Sequence, residues 1–245
     1  DATVLRGWTS EAEATVRPLI DSAIFEIRHP KRFRDGHAAP PQTREEQTMA
    51  DAVFSLIVKL LGEESEKFAG GGRYIKGEQE VKGTWHVSPD TSINFKMYID
   101  RVDSPSAGTL RFIDYKTGAD ATEVCVERLC DPTYATNSDA VFQLLTYCEA
   151  YADMEHFDGA IQPLIYSIRN AYAGTALDPI KHGAPRSAKA PLLDYRDVSA
   201  IFRPQLEGLI ADIFDPEKPF AQCEDPADCT YCPFTALCGR SPKKY

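Results

Sequence analysis

The sequence predicts an α/β fold in which a central sheet is flanked by helices. Three apolar, strand-like stretches follow one another between residues 74 and 116. A stretch with helical periodicity at 139–151 and another apolar stretch at 160–168 come after them. This order of three strands, one helix and a fourth strand is what a sheet with a helical crossover would produce.

Two helices are predicted before the first strand. Residues 10–26 carry apolar side chains at helical spacing, and Ser10 precedes them as a candidate N-cap. Pro18 is expected to kink this helix or delay its start. The second helix, 43–61, opens with a candidate capping box formed by Thr43 and Glu46.

The other elements follow from apolar runs and turn residues. The predicted strands are 74–87, 91–102, 110–116 and 160–168. Turns are expected at 88–90 and 104–108, and loops at 29–42 and 172–193. A helix at 197–214 precedes a cysteine-rich tail. We expect an N-terminal helical segment that packs on the core (1–72), the core (73–215) and the tail (216–245).

Two aspartates end neighbouring predicted strands, and a lysine follows the second. Asp100 and Asp114 both come after apolar runs, so a hairpin would place them side by side. Lys116 shares a strand face with Asp114, while Tyr115 points the opposite way. Two carboxylates and an ammonium in one place would be costly as core filling. The pattern therefore indicates a divalent-metal site with a positioned cation.

These residues begin an ordered series of motifs. Asp100 precedes the run Asp114-Tyr115-Lys116-Thr117-Gly118, and Gln143 and Tyr147 then share one helical face. The spacing Cys229-x2-Cys232-x5-Cys238 closes the series. From about residue 78 to residue 240 the chain resembles the RecB-like branch of the PD-(D/E)XK nuclease superfamily, although Met97 stands where that branch often has Gly.

The resemblance implies a restriction-endonuclease-like core with a central mixed sheet. It also implies a Mg²⁺- or Mn²⁺-dependent DNA nuclease of exonuclease type that hydrolyses phosphodiester bonds. Asp100, Asp114 and the backbone carbonyl of Tyr115 would hold the metal, which prefers such oxygen ligands. Lys116 would orient or activate the attacking water.

Further residues of the site are implied on neighbouring elements. Gln143 and Tyr147 would lie beside the metal, and the first strand would supply one more acid. Glu78 is the first candidate for that acid and Glu80 the alternative. Asp103 is either a second acid of the site or, as we favour, the start of a turn. Arg101 is expected to pair with a surface acid.

Four of the seven cysteines lie near the C-terminus. In the nucleases that the chain resembles, three such cysteines join a distant upstream cysteine around a [4Fe–4S] cluster. We expect Cys229, Cys232 and Cys238 to bind that cluster in the full-length protein, or Zn²⁺ with Cys223 as the fourth ligand.

Charge and hydropathy limit the partners. The net charge of −10 argues mildly against nucleic-acid binding, but the phosphate backbone senses local patches, and 28–34 and 169–189 are basic. Both stretches also fit a solvated surface. No apolar run approaches the roughly 18 residues needed to span a bilayer, and no signal peptide is visible. We therefore expect a cytoplasmic protein without a membrane partner.

The expected partners are DNA and a helicase module in the same chain or complex. Because the first residue is Asp rather than Met, we expect a fragment of something longer or a processed or trimmed chain. The resemblance implies that the longer protein is a helicase–nuclease of DNA repair or recombination. The alternative function is a catalytically inactive nuclease-fold domain that binds DNA or scaffolds a helicase. A zinc-binding interaction module would leave the strand 110–116 unexplained.

Overall fold

The computed structural model describes residues 2–88, 91–118, 121–131, 138–173, 179–219, 221–222, 229 and 232–240. Its helices are α1 (Ala2–Ser10), α2 (Ala12–Thr15), α3 (Arg17–Arg28), α4 (Pro30–Arg34), α5 (Arg44–Phe68), α6 (Asp139–Glu155) and α7 (Arg196–Phe214). Its strands are β1 (Arg73–Ser88), β2 (Thr91–Ser106), β3 (Thr109–Lys116), β4 (Glu123–Val124), β5 (Ala160–Ser167), β6 (Lys181–His182) and β7 (Ala190–Pro191).

A four-stranded mixed sheet forms the centre, in the order β1-β2-β3-β5. The first three strands are antiparallel neighbours, and β5 pairs in parallel with β3. A parallel neighbour requires a crossover connection, which here contains α6. The predicted mixed sheet flanked by helices is therefore confirmed.

Helices cover both faces of the sheet. On one face, α6 and α7 pack against the strands through a core that includes Phe112, Leu144 and Phe202. On the other face, Leu56 and Leu60 of α5 pack against a cluster that includes Ile113. Alternate residues of β3 thus contribute to opposite cores, as the period of two in a strand requires.

The N-terminal helices differ from the prediction. The helix expected at 10–26 is replaced by α2 and α3, and Ser10 ends α1 instead of capping a helix. A break at Val16 places Pro18 in the first turn of α3, where its missing N–H is tolerated. The capping box of Thr43 and Glu46 is confirmed, but α5 continues seven residues past Leu61 to Phe68. The predicted loop 29–42 contains the short helix α4.

Two strand predictions are also corrected. β2 continues beyond Asp100 to Ser106, because its ladder with β3 extends through Arg101, Val102 and Asp103. Asp100 is therefore inside the strand rather than at its end. Within the described part of the predicted loop 172–193, β6 and β7 join β4 in a small second sheet. No helix in the described ranges is long and apolar enough to cross a bilayer.

Candidate active site

Asp100 and Asp114 occupy neighbouring strands at the point where the β2–β3 pairing stops. The last adjacent pair of the register is Arg101 with Ile113, and one further step places Asp100 opposite Asp114. In place of a backbone acceptor, Oδ2 of Asp100 accepts the backbone N–H of Tyr115 at 2.8 Å. The side chain of Asp100 thus fixes the backbone directly after Asp114.

The two aspartates share the sheet face that carries α6. Asp114 lies two residues after Phe112, and Asp100 two before Val102, and both apolar residues belong to the core on that face. Asp114 is only 2 % exposed. A carboxylate so deeply buried requires a compensating charge.

Lys116 supplies that charge and links the strands to α6. Its Nζ lies 2.8 Å from Oδ2 of Asp114 and donates to Oε1 of Gln143 at 2.9 Å. The amide nitrogen of Gln143 in turn donates to the hydroxyl of Tyr147. The spacing of four residues on α6 lets Gln143 and Tyr147 meet in this way. One polar chain therefore runs from Asp114 to Tyr147.

The pKa of the Tyr147 hydroxyl is raised, mainly by burial. Burial raises the pKa of its hydroxyl, and the hydrogen bond from Gln143 lowers it to a smaller extent. The charges of Asp114 and Asp100 raise the pKa further. Tyr147 is therefore neutral at ordinary pH.

Glu78 lies in the same row of the sheet but is turned to solvent. Its neighbours pair as Gly77 with Arg101 and Gln79 with Ile99, which places Glu78 opposite Asp100. Its side chain is exposed, and its backbone has φ of 48°, a region that non-glycine residues rarely occupy. The register thus brings Glu78 beside Asp100, and its side chain is exposed to solvent.

Glu80 belongs to a surface cluster instead. It pairs with Lys82 at 3.1 Å and Lys96 at 2.8 Å and accepts a hydrogen bond from Tyr98. Hydrogen bonds from Lys96, Lys82 and Tyr98 lower its pKa to about 2. Because Glu80 pairs with Tyr98, it lies two residue pairs along the β1–β2 ladder from Asp100.

Behind the site, on the face covered by α5, lies an ion cluster that we did not predict. Arg101 donates to both carboxylate oxygens of Asp103, at 2.9 and 2.7 Å, and to Glu64 and the hydroxyl of Tyr115. Arg111 also contacts Asp103, at 3.1 Å. Although burial lowers the pKa of Arg101, the hydrogen bonds to Asp103 and the nearby charges raise it above its ordinary value.

This cluster corrects two expectations. Asp103 neither starts a turn nor joins the site, because it is fully buried and paired with two arginines. Arg101 pairs with the buried Glu64 rather than with a surface acid. Glu64 lies 37 residues before Arg101, so only the tertiary fold brings them together. The alternation along the strand placed Arg101 on the face opposite Asp100, but it did not indicate that this face is covered by α5.

The donor set fits a hard divalent cation. Lys116 pairs with the deeply buried Asp114, and Asp100 lies opposite Asp114 in the register, so these three side chains together carry one net negative charge. Mg²⁺ is usually held by one or two carboxylates and keeps several waters. Within the described ranges, no group of three or more His, Cys, Asp or Glu side chains is placed to hold a metal. Asp100 and Asp114, with the carbonyl of Tyr115, would be the protein ligands.

The C-terminal cysteines do not form a metal-holding group in the described residues. Cys229 is buried, and Cys232 and Cys238 are half-buried. The backbone N–H of Cys232 donates to the carbonyl of Cys229 at 3.3 Å. Cys223 lies outside the described residues. The structure therefore lends no support to the expected [4Fe–4S] or Zn²⁺ centre.

By fold and site, this is an α/β protein whose central sheet presents an acid–lysine cluster. A family model described as "PD-(D/E)XK nuclease superfamily" matches residues 8–239. The chain therefore belongs to the PD-(D/E)XK nuclease superfamily.

Two other comparisons add little to this assignment. A solved structure titled "Crystal structure of SSO0001" matches 96 % of this chain and 94 % of that chain, at 12 % identity and a TM-score of 0.30. That likeness is too distant to bear on the argument. No curated protein matches the chain.

Proposed function

We propose that this chain is a Mg²⁺- or Mn²⁺-dependent DNA nuclease of the RecB-like branch, of exonuclease type. The proposal is carried by the contact of Lys116 with both Asp114 and Gln143. This contact ties two strand residues of the acid–lysine motif to the Gln-x3-Tyr motif on α6. A structural ion pair would need only one of these motifs, whereas phosphodiester hydrolysis makes use of both.

The side chains have separate roles in this reaction. Bound at Asp100, Asp114 and the carbonyl of Tyr115, the metal would polarise the scissile phosphate and lower the pKa of bound water. Lys116 places a positive charge where the phosphate oxygens enter and orients the water that attacks. Gln143 holds the Lys116 ammonium in position, and its own amide is fixed by the hydroxyl of Tyr147.

Glu78 is proposed as the third acid of the site. Its place in the register, opposite Asp100, supports it over Glu80, which is engaged by Lys82 and Lys96. Its backbone lies in the left-handed region, with φ of 48°. Backbone strain of this kind is common where a residue takes part in ligand binding.

The wider setting is proposed from the sequence motifs. Their order supports a role as the nuclease part of a helicase–nuclease repair or recombination protein. The spacing of Cys229, Cys232 and Cys238 supports a separate structural centre of iron–sulfur or zinc in the full-length protein. Iron and zinc analysis of anaerobically purified full-length protein tests this centre, and neither metal above background would remove it.

The nuclease proposal is tested by incubating the chain with linear DNA in Mg²⁺, in Mn²⁺ and in EDTA. We expect cleavage with either metal and none in EDTA. Labels at the 5′ and 3′ ends distinguish exonucleolytic from internal cutting. DNA binding without cleavage in both metals would contradict the nuclease and favour the inactive DNA-binding domain.

A further inference from the structure

A short basic helix stands out on this acidic protein. The helix α4 (Pro30–Arg34) carries Lys31, Arg32 and Arg34, and Arg28 is the last residue of α3. Residues 28–34 contain no acid. All four side chains are exposed. On a chain whose net charge is −10, such a patch creates a local field opposite in sign to that of the whole protein.

Three of these cations are not neutralised. Among the described residues, no ion pair involves Lys31, Arg32 or Arg34, whereas Arg28 lies 3.6 Å from Glu46. The second basic stretch differs. There, Lys181 pairs with Glu123 at 3.0 Å, and Lys189 donates to three backbone carbonyls. Arg186 of this stretch is also exposed and forms no ion pair among the described residues. The helix α4 differs in grouping three such cations on five residues, of which Arg32 and Arg34 donate to the backbone carbonyls of Ala38 and Pro30.

The packing of α4 favours a polyanion over a lipid surface. Phe33 is the aromatic residue of α4, and its ring packs edge to face on Phe25 at 5.7 Å. Because its ring packs against Phe25, Phe33 is not available to insert into a membrane. What α4 itself presents to solvent is a set of closely spaced cations, and these match the repeating charges of a phosphate backbone.

The helix α5 gives the scale of the separation between this patch and the candidate active site, which lies beyond Arg101 on the other face of the sheet. At its N-terminal end, Glu46 contacts Arg28 and His29, which directly precede α4. At its C-terminal end, Glu64 pairs with Arg101, the residue after Asp100. The two glutamates are 18 residues apart in one continuous helix, which is about 27 Å at 1.5 Å per residue. Along B-DNA, 27 Å corresponds to about eight base pairs.

We propose that Lys31, Arg32 and Arg34 bind phosphates of the DNA substrate about eight base pairs from the bond that is cleaved. This inference rests on the proposed nuclease function and adds a second contact region to it. Its consequence is a length threshold. Substrates shorter than about eight base pairs reach the active site but not α4, and so gain nothing from these cations.

The test compares the triple variant Lys31→Gln/Arg32→Gln/Arg34→Gln with the parent. The matched control, Arg6→Gln/Lys82→Gln/Arg186→Gln, removes three exposed cations elsewhere. The DNA probes are hairpins with stems of 6 and 30 base pairs. Binding is measured by fluorescence anisotropy in EDTA from 50 to 200 mM salt, and cleavage is measured in Mg²⁺.

For the long hairpin, we expect the triple variant to bind roughly tenfold or more weakly, with a salt slope lower by up to about three, since each lost phosphate contact removes about 0.9. Its kcat/KM on the long hairpin should fall accordingly. On the short hairpin, the cleavage activity of the triple variant should match that of the parent. The control variant should match the parent on both hairpins.

Three results would overturn the inference while leaving the nuclease proposal intact. The first is an unchanged salt slope for the triple variant. The second is an equal loss of cleavage by the triple variant on both hairpins. The third is a triple variant that binds anionic vesicles more weakly than the parent but binds DNA equally well. A parent protein that neither binds nor cleaves either hairpin would instead contradict the proposed function itself.

Discussion

The carboxylate of Asp100 accepts the backbone N–H of Tyr115, 2.8 Å away. This hydrogen bond continues the β2–β3 pairing after its last adjacent backbone pair, Arg101 with Ile113. A side chain thus takes the place of a strand partner at the residue that follows Asp114. The two candidate metal ligands are therefore held by one local arrangement, and movement of either strand moves both.

Asp114→Asn should lower metal-dependent cleavage at least roughly 100-fold, because it removes one of the two carboxylates available to the metal. Asparagine keeps the size of the side chain and an oxygen for Lys116. We therefore expect the fold to persist, which circular dichroism and thermal unfolding will check.

Asp139→Asn on the exposed start of α6 is the matched control for this variant. It should cleave DNA as fast as the parent. Full activity of Asp114→Asn would show that Asp114 is not at the catalytic centre.

Lys116→Arg should retain DNA binding and lose most cleavage, by roughly 100-fold, a typical contribution of a positioned proton-transfer group. The guanidinium keeps the positive charge beside Asp114, but it is planar and does not deprotonate in proteins. It also cannot take the compact place of the ammonium between Asp114 and Gln143.

The readouts are the binding affinity in EDTA and the single-turnover cleavage rate in Mg²⁺. Lys82→Arg, at an exposed position of β1, serves as the control and should change neither. Equal cleavage by the parent and Lys116→Arg would mean that the site needs only a positive charge.

Arg101→Leu should lower the free energy of unfolding by about 3–5 kcal/mol, because it leaves the buried Glu64 and Asp103 without their shared partner. Arg128→Leu, which breaks the surface pair with Asp131, should cost less than about 1 kcal/mol. Urea unfolding of both variants measures the difference. Similar small losses would show that the buried cluster contributes little to stability.

Tyr166→Phe should reduce the alkaline sensitivity of the fold. Burial, with the charge of Glu63 second, raises the pKa of the Tyr166 hydroxyl from 10.0 to about 12. Below pH 10 the hydroxyl is protonated in both states. Between pH 10 and 12 the unfolded state loses its proton while the folded state keeps it, so stability falls by up to about 1.4 kcal/mol per pH unit.

The phenylalanine variant removes this contribution. Within the described residues the Tyr166 hydroxyl is buried without a hydrogen-bond partner, so its removal should also leave stability at pH 7 unchanged or raise it by about 1–3 kcal/mol. Urea unfolding at pH 7 and pH 11 tests both effects. Tyr74→Phe, at an exposed position, is the control. A variant as sensitive to pH 11 as the parent would contradict the assignment.

The sequence predicted those parts of the molecule that depend on local patterns. The period of two placed Lys116 on the face of Asp114, and the spacing of four placed Gln143 beside Tyr147. The capping box of Thr43 and Glu46 was likewise predictable from the sequence, since its two residues are three positions apart. In each case, the interacting groups are neighbours in the chain or share one element.

The remainder depended on contacts between distant elements. Nothing near Arg101 in the sequence identifies Glu64 as its partner, and without that pair the burial of Asp103 was not predictable. The end of β2 was misplaced for a related reason. Ser104-Pro105 resembles a turn, but pairing with β3 keeps the chain extended to Ser106.

The crossover through α6 has a consequence for the order in which the candidate active site assembles. The hydrogen bond from Tyr115 to Asp100 spans 15 residues, so the acids can meet as soon as the hairpin of β2 and β3 closes. The contact of Lys116 with Gln143 spans 27 residues and requires α6 to dock. Contacts of longer range form more slowly as a rule. A growing or partly folded chain would therefore bring together its two acids and the Lys116 that pairs with Asp114 before Gln143 reaches the lysine, and the complete polar chain would form only in the finished domain.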